Sequence, residues 1–220
     1  MNRAVCYYII RCRYKSTKDL KGHDMNGYKW VLASASPRRK EILSTLLDEF
    51  EIRVSSSEEK PLASTPEETV KAIAASKGLD ILKNASEKEI IIAADTLVFC
   101  ENEILGKPAD SQDVYRMIKL ISGRSHYVAT GVFVGVKENG ETTYDIFFEK
   151  TEVIVDKLCE EEIENYISTS EPYDKAGAYA IQGLFGKHIK EIRGDYYNVV
   201  GFPLNAFYDY CKKKKFIDFV

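Results

Sequence analysis

Two hydrophobic rhythms divide this chain. A period of two, or an unbroken apolar run, marks strands. It is found in residues 28–33, "YKWVLA", in residues 50–56, "FEIRVSS", and in residues 89–105, "EIIIAADTLVFCENEIL". Two long alternating strands over 125–155 meet at Asn139-Gly140, a strong hairpin signal. A period near 3.6 marks helices. The first spans 37–47, with Ser36 as N-cap, Pro37 at the first helical position and an apolar stripe of Ile42, Leu43, Leu46 and Leu47. The second is "STPEETVKAIAASKGLDILKN" (64–84). Thr65 is its N-cap, Glu68 completes a capping box, and Val70, Ile73, Ala74 and Ile81 face inward. A third covers 110–123, with Val114, Met117, Ile118 and Ile121 inward and Gly123 as its stop. Others are predicted over 159–169 and from Leu204 to Lys212–Lys215. Residues 171–203 are glycine-rich and read as irregular, with "RGD" (193–195) as a hairpin turn. Strands interleave with helices, so the fold class is α/β: a mixed sheet with flanking helices in one two-lobed unit.

Composition narrows the partners. The 220 residues are 45% hydrophobic and 30% charged, enough to build one substantial domain. A net charge of −3 argues against a nucleic-acid polymer as partner, whereas a small anion needs only a local cluster of cations. Five scattered cysteines (Cys6, Cys12, Cys100, Cys159 and Cys211), with no CxxC pair, argue against a disulfide framework or a structural zinc site and fit a reducing compartment. No apolar run approaches the roughly 20 residues of a membrane span, so no membrane partner is expected. Residues 1–27 form an N-terminal extension of unassigned role, and the domain proper is 28–220. Arg3, Arg11, Arg13, Lys15 and Lys18 precede the first acid, Asp19. The extension reads as a mitochondrial presequence, as a short basic tail, or as an upstream frame with Met25 as the working start. The expected location is cytoplasmic, or mitochondrial if the extension is a presequence.

Candidate chemistry begins at the first helix. Arg38 and Arg39 occupy its first turn, where the helix dipole disfavours cations by roughly 0.3–1 kcal/mol each. Two surface cations are the plain reading. The alternative is an anion site, since free N–H groups at a helix start and guanidinium forks together bind phosphate. Ala33, Ser34, Ala35 and Ser36 would let a ligand approach the backbone. Asp95 lies inside an apolar strand, which is costly unless the carboxylate is paired or binds a metal. Lys77 shares the apolar face of its helix and either snorkels or reaches an anion. Lys107 is held between Gly106 and Pro108 on a rigid turn. Glu58 and Glu59 follow a predicted strand, as surface acids or as a second carboxylate for metal. In "EPYDKAGAYAIQG", Gln182 has both a donor and an acceptor with which to read a base edge.

The segments "LASASPRRKEIL", "AADTLV", "GKP", "LISGRSHYVATGV", "EPYDKAGAYAIQG" and "GDYYNVVGFPL", in this order, resemble the Maf family of nucleoside triphosphate pyrophosphatases over about Tyr28 to Tyr210. The resemblance implies a fold related to that of inosine triphosphate pyrophosphatases, with a cleft between two lobes. It implies cleavage between the α- and β-phosphates to give a monophosphate and pyrophosphate with a divalent cation, Mg2+ or Mn2+. It further implies a homodimer, the state of many members. The family's catalytic aspartate falls on Asp95, its phosphate-binding arginines on Arg38 and Arg39, its lysines on Lys77 and Lys107, and its metal-site glutamate on Glu59. Ser34, Thr96 and Gln182 join the arginines as substrate-binding positions. An arginine after "SP", a threonine after the aspartate and "IQG" mark the branch that prefers dTTP and UTP. Ala180 departs mildly from the family's usual small residue, and the first 27 residues have no family counterpart. Two other classes leave separate signatures. A silent nucleotide-binding module would lack a carboxylate or a lysine, and none is missing. A terminal phosphatase would release free phosphate.

Overall fold

The computed structural model describes residues 27–57, 65–101 and 103–217. The readings of the N-terminal extension and of Glu58 and Glu59 lie outside the described residues.

A seven-stranded mixed sheet carries the fold, in the order β2-β1-β3-β5-β6-β7, with β4 also on β3. Its centre is β3 (Glu89–Cys100), an apolar run buried along most of its length. On one edge β3 pairs antiparallel with β5 (Ser125–Glu138) from Glu89↔Lys137 to Phe99↔Tyr127. Its other edge is shared. β1 (Lys29–Leu32) pairs parallel with Glu89–Ile92, and β4 (Glu103–Leu105) pairs antiparallel with Val98–Cys100. Between those two partners the edge of β3 is open, and Asp95 and Thr96 lie in the gap. The expected single strand over 89–105 is therefore a hairpin, which turns at Glu101 with φ of 54°.

β5 continues into β6 (Glu141–Val155) through Asn139 and Gly140, both at positive φ, as the Asn-Gly pair predicts. β2 (Glu51–Ile52) is shorter than its alternation suggests, because its partner β1 ends at Leu32. The last backbone bond there runs from the Arg53 N–H to the Leu32 carbonyl, 3.1 Å.

Helix α2 (Pro66–Leu82) lies across one face of the sheet. Thr65 caps it, accepting from the Glu68 N–H at 3.2 Å. Its buried face is Thr69, Val70, Ile73, Ala74, Gly78 and Leu82; Ile81, expected inward, is half-buried. The other face divides in two. At one end, α1 (Pro37–Leu43) and α6 (Leu204–Lys214) bury Ile42, Leu43 and Phe207 against Leu32, Ile92 and Val134. At the other end, α3 (Ser111–Ile121) and α4 (Glu160–Ile167) bury Val114, Ile118 and Ile163 against Val98, Val128 and Val153. The β3 gap opens where these two cores meet.

α1 stops at Leu43 and not at Leu47. The Ser44 and Thr45 hydroxyls donate back to the carbonyls of Lys40 (2.8 Å) and Ile42 (2.7 Å), which favours a turn over another helical residue. The "irregular" 171–203 contains 3₁₀ turns at Pro172–Asp174, Ala176–Ala178 and Leu184–His188, the edge strand β7 (Ile189–Arg193) and the short helix α5 (Tyr196–Val200). "RGD" is no hairpin turn. Arg193 ends β7, Gly194 takes φ of 130°, and Asp195 caps α5 by accepting from the Tyr197 N–H at 2.7 Å.

Candidate active site

A cleft of about 960 Å³ opens at the β3 gap. Ser34, Arg38, Arg39, Lys77, Asp95, Thr96, Lys107 and Gln182 all line it. Of the sequence-predicted residues, Glu58 and Glu59 lie outside the described residues.

The strand alternation of β3 sends Asp95 and Thr96 to opposite faces. Asp95 points toward α2, where Lys77 Nζ donates to its Oδ1 at 2.8 Å. The two side chains are 10% and 14% exposed, so the pair is largely withdrawn from water. Gly131 lies directly across from Asp95 on β5. A Cβ there would meet the Val70 carbonyl oxygen at 2.4 Å. The bare glycine thus lets α2, and Lys77 with it, come down onto the sheet beside Asp95.

Thr96 points to the other face, into a polar knot. Arg39 donates from Nη2 to Thr96 Oγ1 (3.1 Å), from Nη1 to Ser34 Oγ (3.3 Å) and from Nε to the Gly201 carbonyl (2.9 Å). Thr96 Oγ1 also meets Thr130 Oγ1 at 3.0 Å and the Gly201 carbonyl at 3.3 Å. Arg39 therefore ties the start of α1 to β3 and to the turn after α5. The Thr96 hydroxyl, a substrate-binding position by resemblance, takes part in that internal network.

Arg38 differs from its neighbour. Among the described residues it has no hydrogen-bond or ion-pair partner, and its charge acts on Asp174 across the cleft mouth. The Asp174 carboxyl is held below its usual range, first by its hydrogen bond to Lys175 and more weakly by Arg38. Lys107 likewise has no hydrogen-bond or ion-pair partner among the described residues. Its turn is tied to the facing loop by the Gly177 N–H, which donates to the Gly106 carbonyl at 3.0 Å. Gly177 sits at φ of 71°, and a Cβ on it would meet the Val98 side chain at 2.8 Å.

Lys175 also lines the cleft, with its side chain 16% exposed and paired to Asp174. It lies in the "EPYDKAGAYAIQG" segment that also carries Gln182. Thr130 and the Gly201 carbonyl were missed outright: a threonine inside an alternating strand and a backbone oxygen leave no sequence signal. Gln182 is exposed at the cleft, and its amide has no partner among the described residues.

The site thus joins a shielded carboxylate–ammonium pair to several cations beside one helix start, an arrangement suited to a polyanion with a reacting centre near Asp95. For a metal, the described residues contain no group of three His, Cys, Asp or Glu. One or two carboxylates with substrate phosphate oxygens are, however, the donors that Mg2+ ordinarily takes, and Asp95 fits that set.

Residues 29–214 match the family described as Maf-like protein. The chain is 46% identical to the dTTP/UTP pyrophosphatase of Lachnoclostridium phytofermentans, over 84% of this chain and 95% of that protein. It is 48% identical to the dTTP/UTP pyrophosphatase of Clostridium botulinum strain Alaska E43, over 80% and 94%. Against the protein of the same name from Thermoanaerobacter strain X514, identity is 43% over 84% and 96%. Among solved structures it is similar to the Ham1 protein of Staphylococcus aureus, with a TM-score of 0.46 and 12% identity over 84% of this chain and 99% of that one. A likeness that distant carries no argument.

Proposed function

The chain belongs to the Maf-like protein family, and we propose that its cleft hydrolyses nucleoside triphosphates, preferring dTTP and UTP, to the monophosphate and pyrophosphate. Its role is then to clear such triphosphates from the nucleotide pool. The observation that carries this reading is the buried Asp95–Lys77 pair in a cleft that also holds two cations, Arg38 and Lys107, with no ion-pair partner among the described residues. The names of the relatives, dTTP/UTP pyrophosphatase, supply the substrate.

In this reading the oxygen of a water attacks the α-phosphorus. The P–O bond to the α–β bridging oxygen breaks, and pyrophosphate leaves with that bond's electron pair. Asp95 takes the proton from the attacking water, and Lys77 holds the carboxylate in place. Arg38, Lys107 and Lys175 offset the charge of the phosphates. Arg39 adds positive charge at the helix start while fixing Ser34 and Thr96. Gln182 reads the pyrimidine edge. Asp95 and Glu59 are the residues that would hold Mg2+ or Mn2+. When bound, such an ion supplies Lewis-acid polarisation of a phosphoryl oxygen. A cytoplasmic setting and a homodimer complete the proposal, and sedimentation of the purified chain tests the second.

Product analysis with dTTP, UTP, CTP and GTP in Mg2+ or Mn2+ tests the activity. Monophosphate and pyrophosphate are expected from dTTP and UTP, with kcat falling at least about 100-fold in Asp95→Asn. Free phosphate as the first product would move the cleaved bond. Tight binding with no turnover would make the protein a nucleotide-binding module.

A further inference from the structure

Gln182 has the right chemistry to read a base, but a glutamine on an exposed loop selects nothing unless the loop holds its place. The structure contains a device that fixes this loop. Glu171 stands eleven residues earlier, just before the 3₁₀ turn at Pro172–Asp174. Its carboxylate turns back to the segment after Gln182. Oε2 accepts from the Leu184 N–H at 2.6 Å, and Oε1 accepts from the Phe185 N–H at 3.2 Å and from the Tyr166 hydroxyl at 3.0 Å. The Leu184 and Phe185 N–H groups are the first backbone donors of the 3₁₀ turn at Leu184–His188, and have no partner within that turn. Charge-assisted bonds of this kind are roughly twice as strong as neutral ones.

The fit leaves no slack. A Cβ on Gly183, the residue next to Gln182, would stand 2.2 Å from Glu171 Oε2. The far side of the carboxylate is anchored as well: Tyr166 belongs to α4, is buried, and packs its ring on Phe185 with centroids 5.1 Å apart. The path from the α3–α4 core to the cleft is thus short: Tyr166, Glu171, the backbone of Gly183–Phe185, and Gln182. On the Gln182 side the loop is closed by the Gly183 N–H, which donates to the Ala180 carbonyl at 3.2 Å.

We propose that Glu171 is a positioning residue for nucleobase selection, acting through Gln182. This rests on Gln182 as the base reader. It does not rest on the hydrolytic step, so binding rather than turnover is the readout. The probes are non-hydrolysable α,β-methylene analogues of dTTP and CTP, titrated calorimetrically against the wild type, Glu171→Gln, Gln182→Ala and the double variant. Glu171→Gln sets an amide N–H₂ against backbone N–H donors. It is expected to weaken the thymidine analogue about tenfold, the worth of one good hydrogen bond, and the cytidine analogue little. In the Gln182→Ala background the same change is expected to add nothing, which a merely structural role would not produce. Gly183→Ala, which presses on the carboxylate from the loop side, is expected to reproduce the loss of preference if Glu171→Gln fails to fold.

Equal weakening of both analogues would overturn the proposal, as would effects of Glu171→Gln and Gln182→Ala that multiply. A Gln182→Ala variant that keeps full preference for the thymidine analogue would remove the base reader and the proposal with it. Failure of the hydrolysis reading would show separately, in the products released from dTTP.

Discussion

His126 lies fully buried in β5, with its Nε2 2.7 Å from the Tyr179 hydroxyl and its Nδ1 without a partner among the described residues. Burial pushes its pKa down to about 4, so the ring is neutral and takes no part in proton transfer at neutral pH. The consequence is for stability. In the unfolded chain the imidazole titrates near 6.5, so between pH 6.5 and 4 the unfolded state binds a proton that the folded state excludes. Stability therefore falls as pH falls through that window, by about 2 kcal/mol between pH 7 and pH 5 from this residue alone. Burial shifts His188 in the same direction. Urea unfolding at the two pH values tests this, and His126→Gln is expected to shrink the difference by about 2 kcal/mol. At the same scale, the candidate residues that the structure describes line one cleft. The "SPRR" run placed two arginines at one helix start, and both line the cleft. That Arg39 is held by Ser34, Thr96 and Gly201 while Arg38 has no such partners depends on the turn after α5, about 160 residues away in sequence. No local pattern records so distant a contact.

Elements were legible where periodicity was strong and long. Helix α3 buries the four residues its stripe predicts, Val114, Met117, Ile118 and Ile121. The β5–β6 hairpin turns at Asn139-Gly140 as expected. β7 and α5 escaped because each is five residues long and carries little apolar signal: β7 lies at the sheet edge with Lys190 and Glu191 exposed, and α5 is made by an Asp195 cap and a Gly201 stop. The approach of α2 to the sheet was equally unreadable, since it depends on a glycine of another element facing one of its own turns, and on a glycine of its own facing the sheet. Gly131 faces the α2 backbone, and a Cβ on Gly78 of α2 itself would strike the Phe133 ring at 2.0 Å. Gly131→Ala must lift α2 at the point opposite Asp95. Overpacking of this kind is expected to cost about 1–3 kcal/mol. Because Lys77 rides on the same helix, kcat should also fall about 10- to 100-fold, the usual penalty for misplacing a catalytic group by about an ångström. Denaturant melts and steady-state kinetics on the one variant check both halves. Lost stability with unchanged kcat would mean that Lys77 follows Asp95 wherever α2 sits.

The whole molecule is one sheet with α2 on one face and two cores on the other, and the cleft opens where those two cores meet. The α1–α6 core presents Arg38 and Arg39, and the α3–α4 core backs the loops that carry Lys107, Lys175 and Gln182. On the first side Arg39 bonds α1 to the Gly201 carbonyl after α5, and the Arg38 charge reaches Asp174 on the opposite lip. A triphosphate that binds both lips links the halves and stabilises the fold by mass action, about 2.7 kcal/mol at a ligand concentration 100 times its Kd. Asp95→Asn is the form in which to see it, since turnover would otherwise consume the ligand. Its Tm is expected to rise with dTTP and to rise much less with dTMP at the same concentration, because the monophosphate gives the cations fewer charges. Adding Arg38→Ala should shrink the dTTP shift and leave the unliganded Tm nearly unchanged. Adding Arg39→Lys, which replaces a three-point fork by a single ammonium, should lower the unliganded Tm itself. If the two substitutions behaved alike, both arginines would be phosphate ligands of one kind.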